Sequence, residues 1–216
     1  HKNLPVGSGL GSSACSIVVA CYAFNDYFGR PLSEAELLRL MAEAEGGVSG
    51  SVHFDNVAPS YLGGLQLMLP QSPRICRSLP WFEHWRVVLS YPGTVLSTKA
   101  ARAVLPQQLT LAHSIAFAGM LSRFVSALYS ADETEAVGAL QDLIAEQPRT
   151  ALLPELPAIR AALSEQGILH LGISGAGPTL FALCASEAQA QLAADYLSRH
   201  YEKNQDATTQ ICRLSL

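Results

Sequence analysis

The stretch PVGSGLGSSA, residues 5–14, limits what this chain can fold into more than any other. Gly7, Gly9 and Gly11 stand at alternate positions, Ser12 and Ser13 follow, and an apolar run begins at once. Glycine admits positive φ and carries no Cβ, so such a loop can wrap closely around a ligand. Ser12, Ser13 and Ala14 then open a helix whose first N–H groups have no partner within the helix, and its dipole adds positive potential there. That combination suits phosphate; a plain tight turn into a helix would use the same residues. Two familiar nucleotide loops do not fit. No lysine follows the glycines as Walker A requires. Ser12 stands where a dinucleotide fingerprint needs glycine or alanine, and no strand-length segment precedes the loop.

With 216 residues, the chain is long enough for one large domain or two small ones. Hydrophobic residues make up 49% and charged residues 15%, which provides a core and argues against disorder. The net charge of −4 is not the basic footprint of a nucleic-acid binder. Cys15, Cys21, Cys76, Cys184 and Cys212 are odd in number and lack C-x-x-C spacing. They are expected to be reduced, mostly buried thiols of a cytoplasmic protein, with no metal or disulfide role. No apolar stretch is expected to reach the roughly 18 residues that span a membrane, so no membrane partner is expected.

The run SSACSIVVACYAFNDYF is apolar nearly all round and predicts a buried helix ended by Gly29 and Pro31. Ser33 and Glu36 form a capping box for a second helix with Leu37, Leu40, Met41 and Ala44 on one face. VAPSYLGGLQLML predicts extended structure broken at Gly-Gly, and RICRSLP another strand. Prolines 70, 73 and 80 place a domain boundary near residues 72–82. WRVVLSYPG predicts a central strand, Ser97 a cap for TKAARAVL, and residues 108–166 a helical region broken near 131–132 and 147–154. ILHLGIS and PTLFALC predict strands around the turn GAG; Ser186 and Gln189 form a second capping box, and TTQICRLSL closes the chain as a strand. Helices covering one antiparallel sheet make an α+β fold.

Three further groups point to chemistry. Glu43 and Glu45 lie at the end of the second helix, where the dipole disfavours acids and no Lys or Arg offsets them. Glu45 before Gly46-Gly47 suits a Mg²⁺ ion beside a phosphate as well as it suits a solvated helix end. His53, Asp55 and Asn56 fall within four residues, in a loop entering an apolar segment. They suit a small substrate carrying an amine and a hydroxyl, or a cap or Asx-turn. GISGAGPT, residues 172–179, is a second glycine-rich turn, either an ordinary hairpin or a backbone approaching a ligand.

Taken together, P-x-G-x-G-L-G-S-S-A and G-x-S-G-x-G-P-T resemble two motifs of the GHMP kinase superfamily. EGGVSGSVHFDNVAPSYLGGLQLML, YPGTVLSTKAARAVLP, AEQPRTALLPEL and ICRL resemble its homoserine kinase branch, of the enterobacterial type. The resemblance implies a two-domain architecture, a ribosomal-S5-like N-terminal domain followed by a ferredoxin-like C-terminal domain. Residues 1–75 would be the remnant of the ATP-binding domain and 76–216 the C-terminal kinase domain. It implies phosphorylation of L-homoserine by ATP with Mg²⁺ on the way to threonine, and a homodimer in the cytoplasm. Pro5, Gly7, Ser8, Gly9, Leu10, Gly11, Ser12 and Ser13 would hold ATP, with Ser13 and Glu45 on the metal. His53, Asp55, Asn56, Arg102, Arg149, Ser174 and Gly175 would hold the substrate. An arginine fork suits its carboxylate. Thr98 and Arg149 would be the catalytic residues, Thr98 near the reacting hydroxyl.

The family's first motif, rich in Ser and Asn, is not in the sequence, which opens at HKNLP. The expectation is a truncated first domain with exposed apolar faces, self-association and reduced activity. Other small-molecule kinases of the superfamily, acting on mevalonate or sugars, share the glycine loops. A non-catalytic domain that binds nucleotide weakly would share them too.

Overall fold

The computed structural model describes residues 4–50 and 52–214. They form two compact units. Of the described residues, one takes 4–6, those of 11–81 and Leu214; the other takes Gly7–Leu10 and Phe82–Arg213.

The first unit holds α1 (Ser12–Tyr27), α2 (Glu34–Ser49), α3 (Val57–Leu62) and the antiparallel pair β1 (Leu65–Met68) and β2 (Cys76–Leu79). The capping box at the start of α2 is formed: Ser33 Oγ accepts from the Glu36 N–H at 3.4 Å, and Glu36 Oε2 accepts from the Ser33 N–H at 2.9 Å. Ala14 and Val18 of α1, Leu37, Leu38 and Met41 of α2, and Val57 and Ala58 of α3 make the core.

Three expectations fail here. The α1 helix is not buried all round: Val19, Phe24, Tyr27 and Phe28 are exposed. Only the stripe through Ala14 and Val18 meets α2 and α3, and burial depends on how many neighbours surround a helix, not on its own apolarity. The buried face of α2 runs through Leu37, Leu38, Met41 and Ala42, leaving Leu40 and Ala44 exposed. Val57–Leu62 is helical, not extended. Pro59 sits in its first turn, where a missing N–H costs nothing, and the Ala58 N–H bonds back to the Phe54 carbonyl at 2.8 Å.

The second unit is built on a four-stranded antiparallel sheet in the order β4–β5–β3–β6, from β3 (Arg86–Tyr91), β4 (His170–Ile173), β5 (Leu180–Cys184) and β6 (Thr208–Cys212). This is the order of a ferredoxin-like fold. Between β3 and β4 run α4 (Thr98–Ala103), α5 (Leu111–Ser130), α6 (Glu133–Gly138), α7 (Glu146–Thr150) and α8 (Leu156–Glu165); α9 (Glu187–His200) joins β5 to β6. Leu171, Ala182, Val88 and Ile211 stand side by side across the strands and pack with α8 and α9. Leu156, Leu163 and Leu197 are essentially fully buried in that cluster, each stabilising the fold by about 1.5–3 kcal/mol. The next row, Gly172, Phe181, Leu89 and Gln210, faces the other way because side chains alternate along a strand.

Ser97 caps α4 as expected, its Oγ accepting from the Ala100 N–H at 3.4 Å. The break expected near 147–154 is present but shorter, at 151–155, because 146–150 are helical; a further break falls at 139–145. Asp142 Oδ1 accepts from the N–H groups of Ile144 and Ala145 there, a turn that competes with helix. At α9, Ser186 caps the Gln189 N–H at 3.2 Å, but Gln189 Oε1 accepts from the Ala185 N–H, one residue before the box position. Contrary to expectation, the 20-residue α5 is long and apolar enough, by length and composition, to cross a membrane. Of the cysteines, all free, only Cys184 is buried; the other four are half-buried.

Candidate functional site

The loop Gly7–Leu10 belongs to the second unit, and its carbonyls explain how it is held. Gly7 O accepts from the Leu96 N–H at 3.3 Å, Ser8 O from the Thr179 N–H at 3.1 Å, and Gly9 O from Ser174 Oγ at 3.0 Å. Three successive carbonyls are thus bonded to residues more than eighty positions away. In a trans peptide the N–H points opposite to the carbonyl before it. Anchoring these carbonyls therefore turns the N–H groups of residues 8, 9 and 10 the other way, and the last donates to Ser8 Oγ at 3.3 Å.

The glycines are dictated by this close approach. Gly9 has φ +84°, and a Cβ there would lie 2.5 Å from the Ser174 carbonyl oxygen and 2.7 Å from that of Gly177. A Cβ at Gly175, φ +55°, would meet Gly9 O at 2.9 Å. The two glycine-rich turns lie backbone against backbone, and side chains at these positions would part them. Such a loop fits a polyphosphate, with amides on one side and anchored carbonyls on the other.

Arg149 extends the network. From α7 its Nη1 donates to Gly175 O at 2.8 Å and its Nε to Ala101 O at 3.4 Å. Ala101 lies in α4 beside Arg102, whose side chain is exposed, as is that of Thr98 at the start of the same helix. One continuous set of bonds therefore joins Gly9, Ser174, Gly175, Arg149 and α4 within this unit. Arg149 is thereby tied to the helix that carries Arg102, and an arginine fork suits an anion.

The remaining candidates lie in the first unit, which the chain enters at Gly11. Pro5, half-buried, precedes the loop there. Gly11, φ +67°, is the N-cap of α1, and a Cβ on it would lie 3.2 Å from Asn56 Oδ1. Asn56 occupies the N-cap of α3, yet its side chain makes no capping bond. The segment holding exposed His53, Asp55 and Asn56 therefore enters a helix, not a strand, with the Asn56 amide beside the backbone of Gly11. Ser12 is buried and donates from Oγ to the Leu4 carbonyl at 2.9 Å, whereas Ser13 is exposed. Glu45 is half-buried, seven residues after Leu38 on the stripe that includes Met41 and Ala42. A hydroxyl and a carboxylate are the hard oxygen donors that Mg²⁺ takes.

Sequence reasoning missed three supports. Leu96 and Thr179 act through backbone N–H groups, which leave no side-chain signature. Tyr201, at the end of α9, is buried and donates its hydroxyl to the Pro178 carbonyl, bracing the second glycine turn. Burial raises its phenol well above the ordinary range, so it remains a donor.

The family model for the GHMP kinases N terminal domain matches residues 1–64, and that for GHMP kinases C terminal matches residues 125–203. Homoserine kinase from Cytophaga hutchinsonii is 32% identical with a TM-score of 0.89, over 99% of this chain and 67% of that one. Two others share the fold at lower identity. Leishmania (L. major) mevalonate kinase is 19% identical, TM-score 0.71, over 95% of this chain and 66% of its own. Streptococcus pneumoniae phosphomevalonate kinase is 14% identical, TM-score 0.73, over 99% and 72%.

Proposed function

This chain belongs to the GHMP kinase family, and from that premise we propose that it transfers the γ-phosphoryl group of ATP to the hydroxyl of L-homoserine, giving O-phospho-L-homoserine and ADP. The observation that carries this is the bonded path from Gly9 through Ser174 and Gly175 to Arg149 and α4. It ties a phosphate-type loop to Arg149 and to the helix that carries Arg102, arginines that would suit the carboxylate of an amino-acid substrate. The similarity to a homoserine kinase at 32% identity supports the choice of substrate.

Gly7–Gly11 would hold the phosphates through backbone N–H groups. Mg²⁺, when bound, neutralises phosphate charge and orients the transferring group. Ser13 and Glu45 would hold it; the Ser12 hydroxyl is already given to Leu4. Arg102 and Arg149 would fix the carboxylate, and His53, Asp55 and Asn56 the amine and hydroxyl end. Thr98 would stand by the reacting hydroxyl, whose proton leaves as its oxygen bonds to phosphorus. Alignment and charge neutralisation carry most of such a reaction, and no residue is assigned as a strong base.

A coupled ADP-release assay tests this with L-homoserine, mevalonate and galactose offered separately. Turnover confined to L-homoserine is expected. Turnover with mevalonate or galactose alone would reassign the substrate, and saturable MgATP binding without turnover on any acceptor would make the chain a non-catalytic nucleotide binder.

A further inference from the structure

In the second unit, α5 stands off the outer face of β4 and β5 and leaves a pocket of about 360 Å³. That volume falls in the usual range for small-molecule sites. Phe117, Met120, Leu121 and Phe124 of α5 form one wall, and Phe181 and His170 lie on the opposite one. The floor is aromatic because Gly172 has no side chain: a Cβ there would meet the Phe181 ring at 2.5 Å and His170 Nε2 at 3.1 Å, so both rings pack down over the buried glycine. We infer that this pocket binds a small, uncharged aromatic or branched apolar molecule seated between the α5 wall and the rings of Phe181 and His170, at a place separate from the phosphate loop.

The charge around the pocket selects this class. Arg160 is already engaged, its Nη2 2.8 Å from Glu146 Oε2 and 2.9 Å from the Leu171 carbonyl. Asp142, on the rim, accepts from the N–H groups of Ile144 at 2.9 Å and Ala145 at 2.7 Å through Oδ1. Among the described residues that line the cavity there is no Lys or Arg, and its two carboxylates, Glu146 and Asp142, already accept from Arg160 and from backbone N–H groups respectively. His170 makes no side-chain hydrogen bond among the described residues, and its ring lies 5.7 Å from that of Phe181. Burial, with the Arg160 charge adding to it, pushes His170 down to about 4. At neutral pH it is therefore an uncharged imidazole, able to take one hydrogen bond from a ligand such as an indole N–H.

The test uses the whole chain with indole as probe and indole-3-acetate as its anionic counterpart, followed by saturation-transfer NMR and the His170 ring resonances. Saturable indole binding with Kd on the order of 1 mM or tighter is expected, with indole-3-acetate much weaker. Phe117→Gln and Leu121→Gln alter side chains that are 39% and 45% exposed, so the fold should survive. Each should weaken indole binding about fivefold while leaving the thermal midpoint in place. Absence of saturable binding, equal binding of the two probes, or unchanged affinity in both variants would overturn the inference. So would a dimer in sedimentation that both variants dissociate, since a second copy would then cover this face.

Discussion

Ser174 Oγ donates to the Gly9 carbonyl at 3.0 Å, across 165 positions of sequence. The hydroxyl orients the phosphate-type loop without needing to touch a ligand. Ser174→Ala removes one hydrogen bond of about 1 kcal/mol, so MgATP should bind roughly fivefold more weakly. Gly9→Ala sets a methyl against two carbonyl oxygens at positive φ and should abolish binding. Calorimetric titration with MgATP checks both; unchanged affinity in Ser174→Ala would remove the serine from the loop's support.

Arg149 spends two of its donors on the carbonyls of Gly175 and Ala101. Lysine has one nitrogen and cannot span both while facing a carboxylate. Arg149→Lys should raise KM for L-homoserine at least tenfold, with a much smaller change in KM for ATP. Steady-state kinetics with each substrate varied would expose equal effects on both, which would place the arginine elsewhere.

Thr179 is fully buried, and its Oγ1 has no hydrogen-bond partner among the described residues. A buried hydroxyl without a partner costs about 1–3 kcal/mol. Thr179→Val keeps the shape and removes the hydroxyl, while the backbone N–H to Ser8 remains. The variant should be as stable as the parent or more so by urea unfolding; a loss above about 1 kcal/mol would show that the hydroxyl holds a partner.

Tyr201 closes the opposite side of that turn. Tyr201→Phe leaves the buried Pro178 carbonyl without its donor and should cost about 1–3 kcal/mol. The urea midpoint should fall accordingly, and a neutral result would mean that the ring alone braces the turn.

His170 links stability to pH. Folding lowers it from 6.5 to about 4, through burial first and the Arg160 charge second. Between those values the unfolded chain binds the proton and the folded chain does not, so stability falls as pH drops from 6.5 towards 4 and levels off below. The loss attributable to this group is at most about 3 kcal/mol. Urea unfolding at pH 7.5, 5.5 and 4.5 should show a steeper decline in the parent than in His170→Gln.

Much of the fold can be read locally. Ser33, Ser97 and Ser186 cap the helices they precede, because a cap depends on a hydroxyl and an N–H two or three residues on. The short apolar runs of β3 and β5, each followed or preceded by a turn, also mark their strands. The failures have equally physical causes. The α3 segment carries β-type residues, yet a proline in its first turn and a bond from Ala58 back to Phe54 are compatible with helix. The outer face of α1 is apolar and exposed because only α2 and α3 pack against it within its unit.

The candidate site divides in the same way. By itself the sequence determined which residues can approach a phosphate or a carboxylate: alternating glycines, a serine pair at a helix start, two arginines. Those properties belong to each residue's own backbone freedom and charge. Only the tertiary structure decided that Gly9 lies against Ser174 and Gly177, that Arg149 bonds to Gly175 and Ala101, and that the Phe181 ring packs down over Gly172. Each of those depends on where a four-stranded sheet brings distant segments together, and no local pattern encodes that distance.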